Sequence, residues 1–148
     1  MPAVGDYAII GDCRSAALVS RSGSIDWLCW PRFDSPSLLG ALLDPRAGRW
    51  SLSPTAPFRT ERRYAGDSNV LETRLETGSG SLVVTDLMPV ASEEEKRSLL
   101  LPDHEILRLV ACERGEVEVE TVLEVRPRAE DVGGYEQEFF LVFALRER

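Results

Sequence analysis

Histidine occurs once in these 148 residues, at position 104. A single imidazole excludes a zinc site built from several histidines and leaves a Ser-His-Asp triad almost nothing to draw on. His104 is therefore read as an ordinary loop or strand-edge residue. Cysteine is scarce as well: Cys13, Cys29 and Cys112 are odd in number and lack CxxC spacing. They resemble neither a disulfide framework nor a thiolate metal site, and three buried free thiols are expected. Phosphate-cradling loops of the GxxxxGK(S/T) and GxGxxG types do not occur. No apolar run approaches the ~20 residues a membrane helix needs, and the first six residues lack the charged and apolar regions of a signal peptide. A cytoplasmic location without a membrane partner is expected. Excess positive charge is absent too: 25 acidic residues against 17 basic ones give a formal net charge of -8, which opposes binding to nucleic acid or anionic lipid. No metal or cofactor is anticipated, and neutral or small polar partners fit best.

What is present reads as one soluble β domain. Hydrophobic residues at 43% and charged residues at 28% are ordinary for a globular protein, and a chain of this length buries roughly 68–70% of its unfolded surface. Short β-branched or alternating segments, separated by Gly, Ser, Asp and Pro, predict an antiparallel all-β sandwich. Tyr7 to Ile10, Ala16 to Ser20 and Ile25 to Cys29 read as strands, the last two joined through the glycine turn at Gly23. Arg49 to Ser53 and Phe58 to Tyr64 follow, and Val70 to Thr77 and Ser81 to Met88 flank Gly78-Ser79-Gly80 as a second hairpin. Glu105 to Cys112 and Glu116 to Val125 resume the pattern, with Val117, Val119, Thr121 and Leu123 on the expected buried face. The apolar run from Phe139 to Leu145 suits a final buried strand. One short helix is predicted over Leu38 to Leu43, capped by Ser37 and ended by Asp44-Pro45. The charge run Glu93-Glu94-Glu95-Lys96-Arg97 is read as part of a solvated loop from Ala91 to Asp103.

Carboxylates are plentiful, and a pair of them is what hydrolysis of a glycosidic bond ordinarily requires. Glu116, Glu118 and Glu120 share one strand face and read as a solvated surface. The segment Trp27-Leu28-Cys29-Trp30-Pro31-Arg32-Phe33-Asp34-Ser35-Pro36-Ser37 is different in composition. Its prolines forbid a central strand or a helix from Trp30 to Ser37 and make it an irregular loop. Aromatic faces can stack on a pyranose while guanidinium and carboxylate groups bind hydroxyls, which suits sugar recognition. The same residues admit a plain structural reading, with Trp27 and Phe33 as core anchors and Arg32 and Asp34 as a local ion pair.

The order Ile10-Gly11-Asp12-Cys13-Arg14-Ser15-Ala16-Ala17-Leu18-Val19, then Gly23-Ser24-Ile25-Asp26-Trp27-Leu28-Cys29-Trp30-Pro31-Arg32-Phe33-Asp34, closely resembles the opening of the trehalase-like amino-terminal domain of glycoside hydrolase family 15. The likeness continues through Gly48-Arg49-Trp50, Arg63-Tyr64, Leu71-Glu72-Thr73, Val84-Thr85-Asp86-Leu87-Met88-Pro89, Arg108-Leu109-Val110 and Arg114-Gly115-Glu116-Val117, covering about Tyr7 to Arg128. The resemblance implies a two-sheet supersandwich, joined by a linker to an (α/α) six-fold barrel that hydrolyses α-glucosides with inversion. In that family the catalytic glutamates lie far downstream, so no residue here inherits their role. The loop residues Trp30, Arg32, Phe33 and Asp34 are expected to face the barrel's sugar pocket, with Trp27 in the core, where Trp27→Ala would cost about 3–5 kcal/mol.

These expectations divide the chain into an amino-terminal sandwich domain at 1–128 and a divergent segment at 129–148 that supplies a terminal strand, with the barrel absent and the sandwich incomplete. Open sheet edges would then favour a homodimer. The function expected is that of a non-catalytic accessory domain for an α-glucoside hydrolase, partnered by its barrel and an α-glucoside sugar. The alternative is a free-standing oligomeric module that binds carbohydrate or protein. A complete small hydrolase acting through Asp26 and Asp34 is weaker, because such chemistry needs two carboxylates in environments that separate their pKa values.

Overall fold

A computed structural model describes residues 3–99 and 104–125, and the backbone course of the strand at 140–146. Two sheets pack face to face. The first contains β1 (Ala8–Gly11), β2 (Ala16–Val19), β3 (Ser24–Cys29), β4 (Ser37–Leu39), β5 (Arg49–Pro54) and β10 (Val119–Glu124), in the order β1-β2-β3-β5-β10 with β4 also on β3. The second runs β11-β9-β8-β7-β6 and is built from β6 (Phe58–Tyr64), β7 (Leu71–Thr77), β8 (Gly80–Leu87), β9 (Glu105–Gly115) and β11 (Phe140–Arg146). Every pairing among the described strands is antiparallel except β11 with β9. The return through β10 in the opposite sheet supplies the crossover that a parallel neighbour requires. No described helix is long and apolar enough to cross a membrane.

Alternation explains why these segments are strands. From Leu71 onward, Leu71, Thr73, Leu75 and Thr77 turn inward and are buried, while Glu72, Arg74 and Glu76 turn outward. The period is complete once the two threonines are counted as core residues. The β2–β3 turn depends on Gly23, whose φ is +83° and whose missing side chain leaves room for the Leu52 carbonyl; a Cβ there would lie 2.2 Å from that oxygen.

Tertiary pairing overrides the local pattern in two places. The helix predicted at 38–43 is not formed: Ser37–Leu39 is strand β4, paired with Cys29 and Leu28, and Leu39 is buried against the core. The upper part of β3's edge, beyond its pairing with β5, was available to this apolar segment, and burial there outweighs helix propensity. The helix lies instead at α1 (Glu93–Leu99), where a solvated loop was expected. Ser92 and Glu95 cap it reciprocally: the Glu95 amide donates to the Ser92 hydroxyl at 3.2 Å, and the Ser92 amide donates to the Glu95 carboxylate at 2.8 Å. This capping box is the start signal hidden in the charge run.

Burial corrects two further readings. Thr121 and Leu123 are exposed, Leu123 at 48%, because β10 ends its sheet among the described residues; Val117 and Val119 do pack against the core. Cys29 is buried, but Cys13 and Cys112 are exposed free thiols. His104 stands immediately before β9, in keeping with a loop or strand-edge residue, and is buried there. The terminal apolar run forms β11, whose side chains lie outside the described residues, as does most of the segment at 129–148.

The two sheets are joined on one side by hydrogen bonds from alternate residues of β6. Thr60 donates to the Arg21 carbonyl at 3.0 Å and Arg62 to the Val19 carbonyl at 3.1 Å. The Tyr64 hydroxyl accepts from the Ile9 amide at 3.1 Å and donates to the Ile9 carbonyl at 2.9 Å. The exposed backbone edge at Ile9 is thus capped by a side chain, one way of blunting an edge strand.

The centre of the sandwich holds an ion pair. Arg108 and Asp86 face each other across β9 and β8 and are both fully buried. Arg108 Nε and Nη2 reach the two Asp86 oxygens at 2.7 and 3.1 Å, Nη1 donates to the Trp50 carbonyl of the opposite sheet at 3.0 Å, and the guanidinium stands 5.1 Å from the Trp50 ring centroid. Removing one partner leaves a buried charge without its counterion, a loss of about 3–5 kcal/mol. We expect Arg108→Ala and Asp86→Ala each to lower unfolding stability by about that amount in urea titrations. The double variant should lose less than the sum of the two, because the second change removes an already stranded charge.

Candidate functional site

A β-bulge determines which tryptophan reaches the core. In the β2–β3 ladder Leu18 faces Trp27, but the next pair is Val19 with Ile25, so Asp26 is an extra residue on β3. Inserting one residue reverses the side-chain phase. Ile25 points inward opposite Trp50; beyond the bulge Leu28, opposite Ala17, points inward, and Trp27 turns to the outer face. Continuing that phase brings Trp30 into the core, at 6% exposure, with Leu39, Met88 and Ile106 in the same cluster. Its ring lies 6.0 Å from that of His104. The expected roles of the two tryptophans are therefore exchanged: Trp27 is only half-buried, and Trp30 is an anchor rather than a sugar-facing group.

The loop at 30–36 leaves this anchor and is braced by the β1–β2 turn. There the Asp12 carboxylate accepts the amides of Arg14 at 2.9 Å and Ser15 at 2.7 Å, while Cys13 takes a φ of 70°. The buried Ser15 hydroxyl donates to the Cys29 carbonyl, and the Phe33 amide donates to the Arg14 carbonyl at 3.1 Å. Arg14 in turn pairs with Glu93 in the first turn of α1. Within the loop, the Ser35 amide donates to the Arg32 carbonyl at 3.1 Å and the Arg32 amide donates to the Ser35 hydroxyl at the same distance, closing a tight turn.

This turn projects its side chains outward. Phe33 is 62% exposed, so it is not a core anchor. Arg32 Nε and Nη2 grip Asp34 at 2.9 and 2.5 Å, with the two side chains 70% and 69% exposed. The Arg32 hydrogen bonds hold the Asp34 carboxyl below the usual carboxylate range, opposed by some desolvation, so it is ionised at neutral pH. A planar guanidinium–carboxylate pair on the same turn as an exposed ring offers hydroxyl-binding groups and a flat apolar surface. Of the four residues singled out in this loop, the structure presents Arg32, Phe33 and Asp34 together and withdraws Trp30.

The other carboxylates singled out in the sequence, Asp26, Glu116, Glu118 and Glu120, do not join them. Asp26 is buried within the bulge, accepting hydrogen bonds from the Tyr7 hydroxyl at 2.7 Å and the Ser24 hydroxyl at 2.5 Å. Burial first, then the hydrogen bond and charge of Asp26, push the Tyr7 phenol up to about 12. Glu116 and Glu118 are exposed just before β10, and Glu120 is exposed on it. The residue that sequence reasoning passed over is Ser15, buried beneath the loop; its only signal was a small polar residue at the turn entering β2.

Three outcomes follow. Trp30→Ala should cost about 3–5 kcal/mol in chemical denaturation, and Trp27→Ala clearly less. Arg32→Ala and Asp34→Ala should leave the melting temperature unchanged within error, since an exposed pair adds little. The raised phenol of Tyr7 favours the protonated fold, so its contribution is whole below pH 10 and lost as pH rises toward 12. Tyr7→Phe should flatten that part of the stability profile relative to the parent chain, as measured by urea midpoints across the range.

A protein-family model described as trehalase-like, N-terminal, matches residues 2–130. The trehalase of Mycolicibacterium smegmatis is 38% identical over 129 residues, taking in 80% of this chain and 19% of that protein. The trehalase of Mycobacterium tuberculosis is 37% identical over the same length, with the same coverage. Trehalase 1 of Sulfolobus acidocaldarius is 42% identical over 85 residues, 57% of this chain and 15% of that protein. This chain thus spans about a fifth of the length of the mycobacterial relatives it matches. No solved structure matches it significantly. With a match over residues 2–130 and the sandwich described above, the chain belongs to the trehalase-like N-terminal domain family.

Proposed function

We propose that this chain is the non-catalytic N-terminal accessory domain of an α-glucoside-hydrolysing, trehalase- or glucoamylase-like enzyme, and that its 30–36 loop completes the sugar pocket of that enzyme's catalytic part. The observation that carries this reading is the exposed Arg32–Phe33–Asp34 turn, mounted on buried Trp30 and Ser15 in a chain that matches a fifth of the mycobacterial trehalases. An ion pair needed only for stability has little reason to stand on a braced turn in water, where such pairs contribute little. A turn fixed before substrate arrives, by contrast, lowers the entropy cost of binding.

The carboxylate geometry supports a non-catalytic role. Glycoside hydrolysis needs one carboxylic acid kept protonated near neutral pH and a second carboxylate across the scissile bond. Asp34 is held ionised by Arg32, and Asp26 is enclosed by Tyr7 and Ser24. The loop's contribution is therefore binding and orientation: Phe33 against a sugar face, and Arg32 and Asp34 toward hydroxyl groups.

Purified alone, the chain should show no turnover of trehalose or maltose above the uncatalysed background; turnover abolished by Asp26→Asn or Asp34→Asn would sink the reading. Placed at the start of the M. smegmatis trehalase in place of the matching segment, the chain should support trehalose hydrolysis. Arg32→Ala or Asp34→Ala in that graft should lower kcat/KM on the order of tenfold to a hundredfold without changing its melting temperature.

A further inference from the structure

The phase reversal that sends Trp30 inward sends an apolar row outward. Across β1, β2 and β3 the register aligns Ile9 with Leu18 and Leu18 with Trp27, all on the outer face of the first sheet. Ile9 is 53% exposed, and Leu18 and Trp27 are half-buried. The row continues sideways into Tyr64, 40% exposed, whose hydroxyl is fastened to the Ile9 backbone. At its other end the 40–44 turn is fixed by the Leu42 amide donating to the Asp26 carbonyl at 2.9 Å, and this turn carries Leu43 at 71% exposure. The outer face of the second sheet contrasts with it along β6 and β7, where Arg59 faces Glu76, Glu61 faces Arg74 and Arg63 faces Glu72. That ladder neutralises itself and stays hydrated.

We infer that the Tyr64–Ile9–Leu18–Trp27 row is the docking face for the downstream part of a trehalase-length chain, presented by that part as a complementary uncharged, aliphatic or aromatic surface. The inference rests on reading this chain as the N-terminal accessory domain of a longer hydrolase. Size selects this occupant over a second copy. An independent, stable association buries about 20–30 residues a side, far more than this row supplies. Covalently joined domains meet at effective concentrations on the order of millimolar, so a patch too small to hold a free partner can still seat a tethered one. The mycobacterial relatives carry about four-fifths of their length outside the matched segment, enough chain to supply the covering surface.

The test is thiol labelling of Ile9→Cys, a change at an exposed position, in the 148-residue chain and in its graft onto the M. smegmatis trehalase. Leu109→Cys, on the outer face of the second sheet, serves as comparison. Maleimide uptake is read residue by residue by tandem mass spectrometry, which separates position 9 from Cys13. A tenfold or greater slowing at position 9 in the graft, independent of protein concentration, is expected. No slowing at position 9 in a graft that hydrolyses trehalose overturns the docking face while leaving the accessory-domain reading standing. Slowing in the 148-residue chain that grows with concentration overturns it in favour of a second copy. If the graft does not assemble, the same two cysteines at the aligned positions of the intact M. smegmatis trehalase decide the question by the same criterion. Unchanged kinetics of the Arg32→Ala graft would count against the sugar-pocket reading alone, so the two failures are distinguishable.

Discussion

The buried contact of Asp86, Arg108 and Trp50 constrains the rest of the sandwich. Asp86, on β8, lies between Val84 and Met88, the residue that directly follows the strand, and Arg108 between Ile106 and Val110 on β9; Val84 and Val110 belong to one apolar cluster, Met88 and Ile106 to the other. The charges therefore sit where the two clusters meet. Sliding β9 by one residue would put Arg108 on the outer face and leave Asp86 buried without a counterion, a far larger penalty than exchanging one aliphatic contact for another. The third bond, to the Trp50 carbonyl, extends this control from the register of one sheet to the placement of the other. The ring of Trp50 packs beside the guanidinium that its own backbone helps to satisfy, so apolar burial and charge compensation coincide at one residue.

The same first sheet converts a single extra residue into two surfaces. Because Asp26 is inserted in β3, the residues beyond it change sides: Leu28 and Trp30 enter the core while Trp27 joins Leu18 and Ile9 outside. The buried carboxylate created by the insertion needs partners, and Tyr7 and Ser24 provide them. Trp30 then fixes the start of the loop, Ser15 and Arg14 hold it from the neighbouring turn, and Arg32, Phe33 and Asp34 stand in solvent. Stiff support beneath exposed polar groups is the arrangement expected where geometry matters to a ligand.

In this reading the domain presents two distinct contacts to a longer enzyme, a polar turn at one end of the sandwich and an apolar row on one sheet face. They do different physical work. The row contributes non-directional burial, which is effective when tethering has already met most of the entropy cost of association. The turn contributes directional hydrogen-bonding groups, which discriminate between ligands only if they are held in place beforehand.

Much of this was legible in the residues themselves. Gly23 and Gly78-Ser79-Gly80 marked the hairpins, and Pro31 and Pro36 marked the loop, because turn chemistry is a local property; the inward face of β7 emerged only once its two threonines were seen to be buried. The likeness to trehalase-like N-terminal domains was equally legible in the order of its motifs, and the family match over residues 2–130 agrees with it. A charge run concealed a capping box at Ser92 and Glu95, a local signal that was present and outweighed by composition. The rest needed the assembled sheets. That Ser37–Leu39 would be a strand depended on the available edge of β3; that Trp30 rather than Trp27 would be buried depended on a bulge visible only in the pairing with β2; and that Asp86 and Arg108 would meet depended on the register of β8 and β9. Sequence by itself determined where the chain could turn and which segments could be strands, since those choices are made within a few residues. Only the tertiary structure decided which face each side chain took, because that choice belongs to pairs of strands distant in the chain.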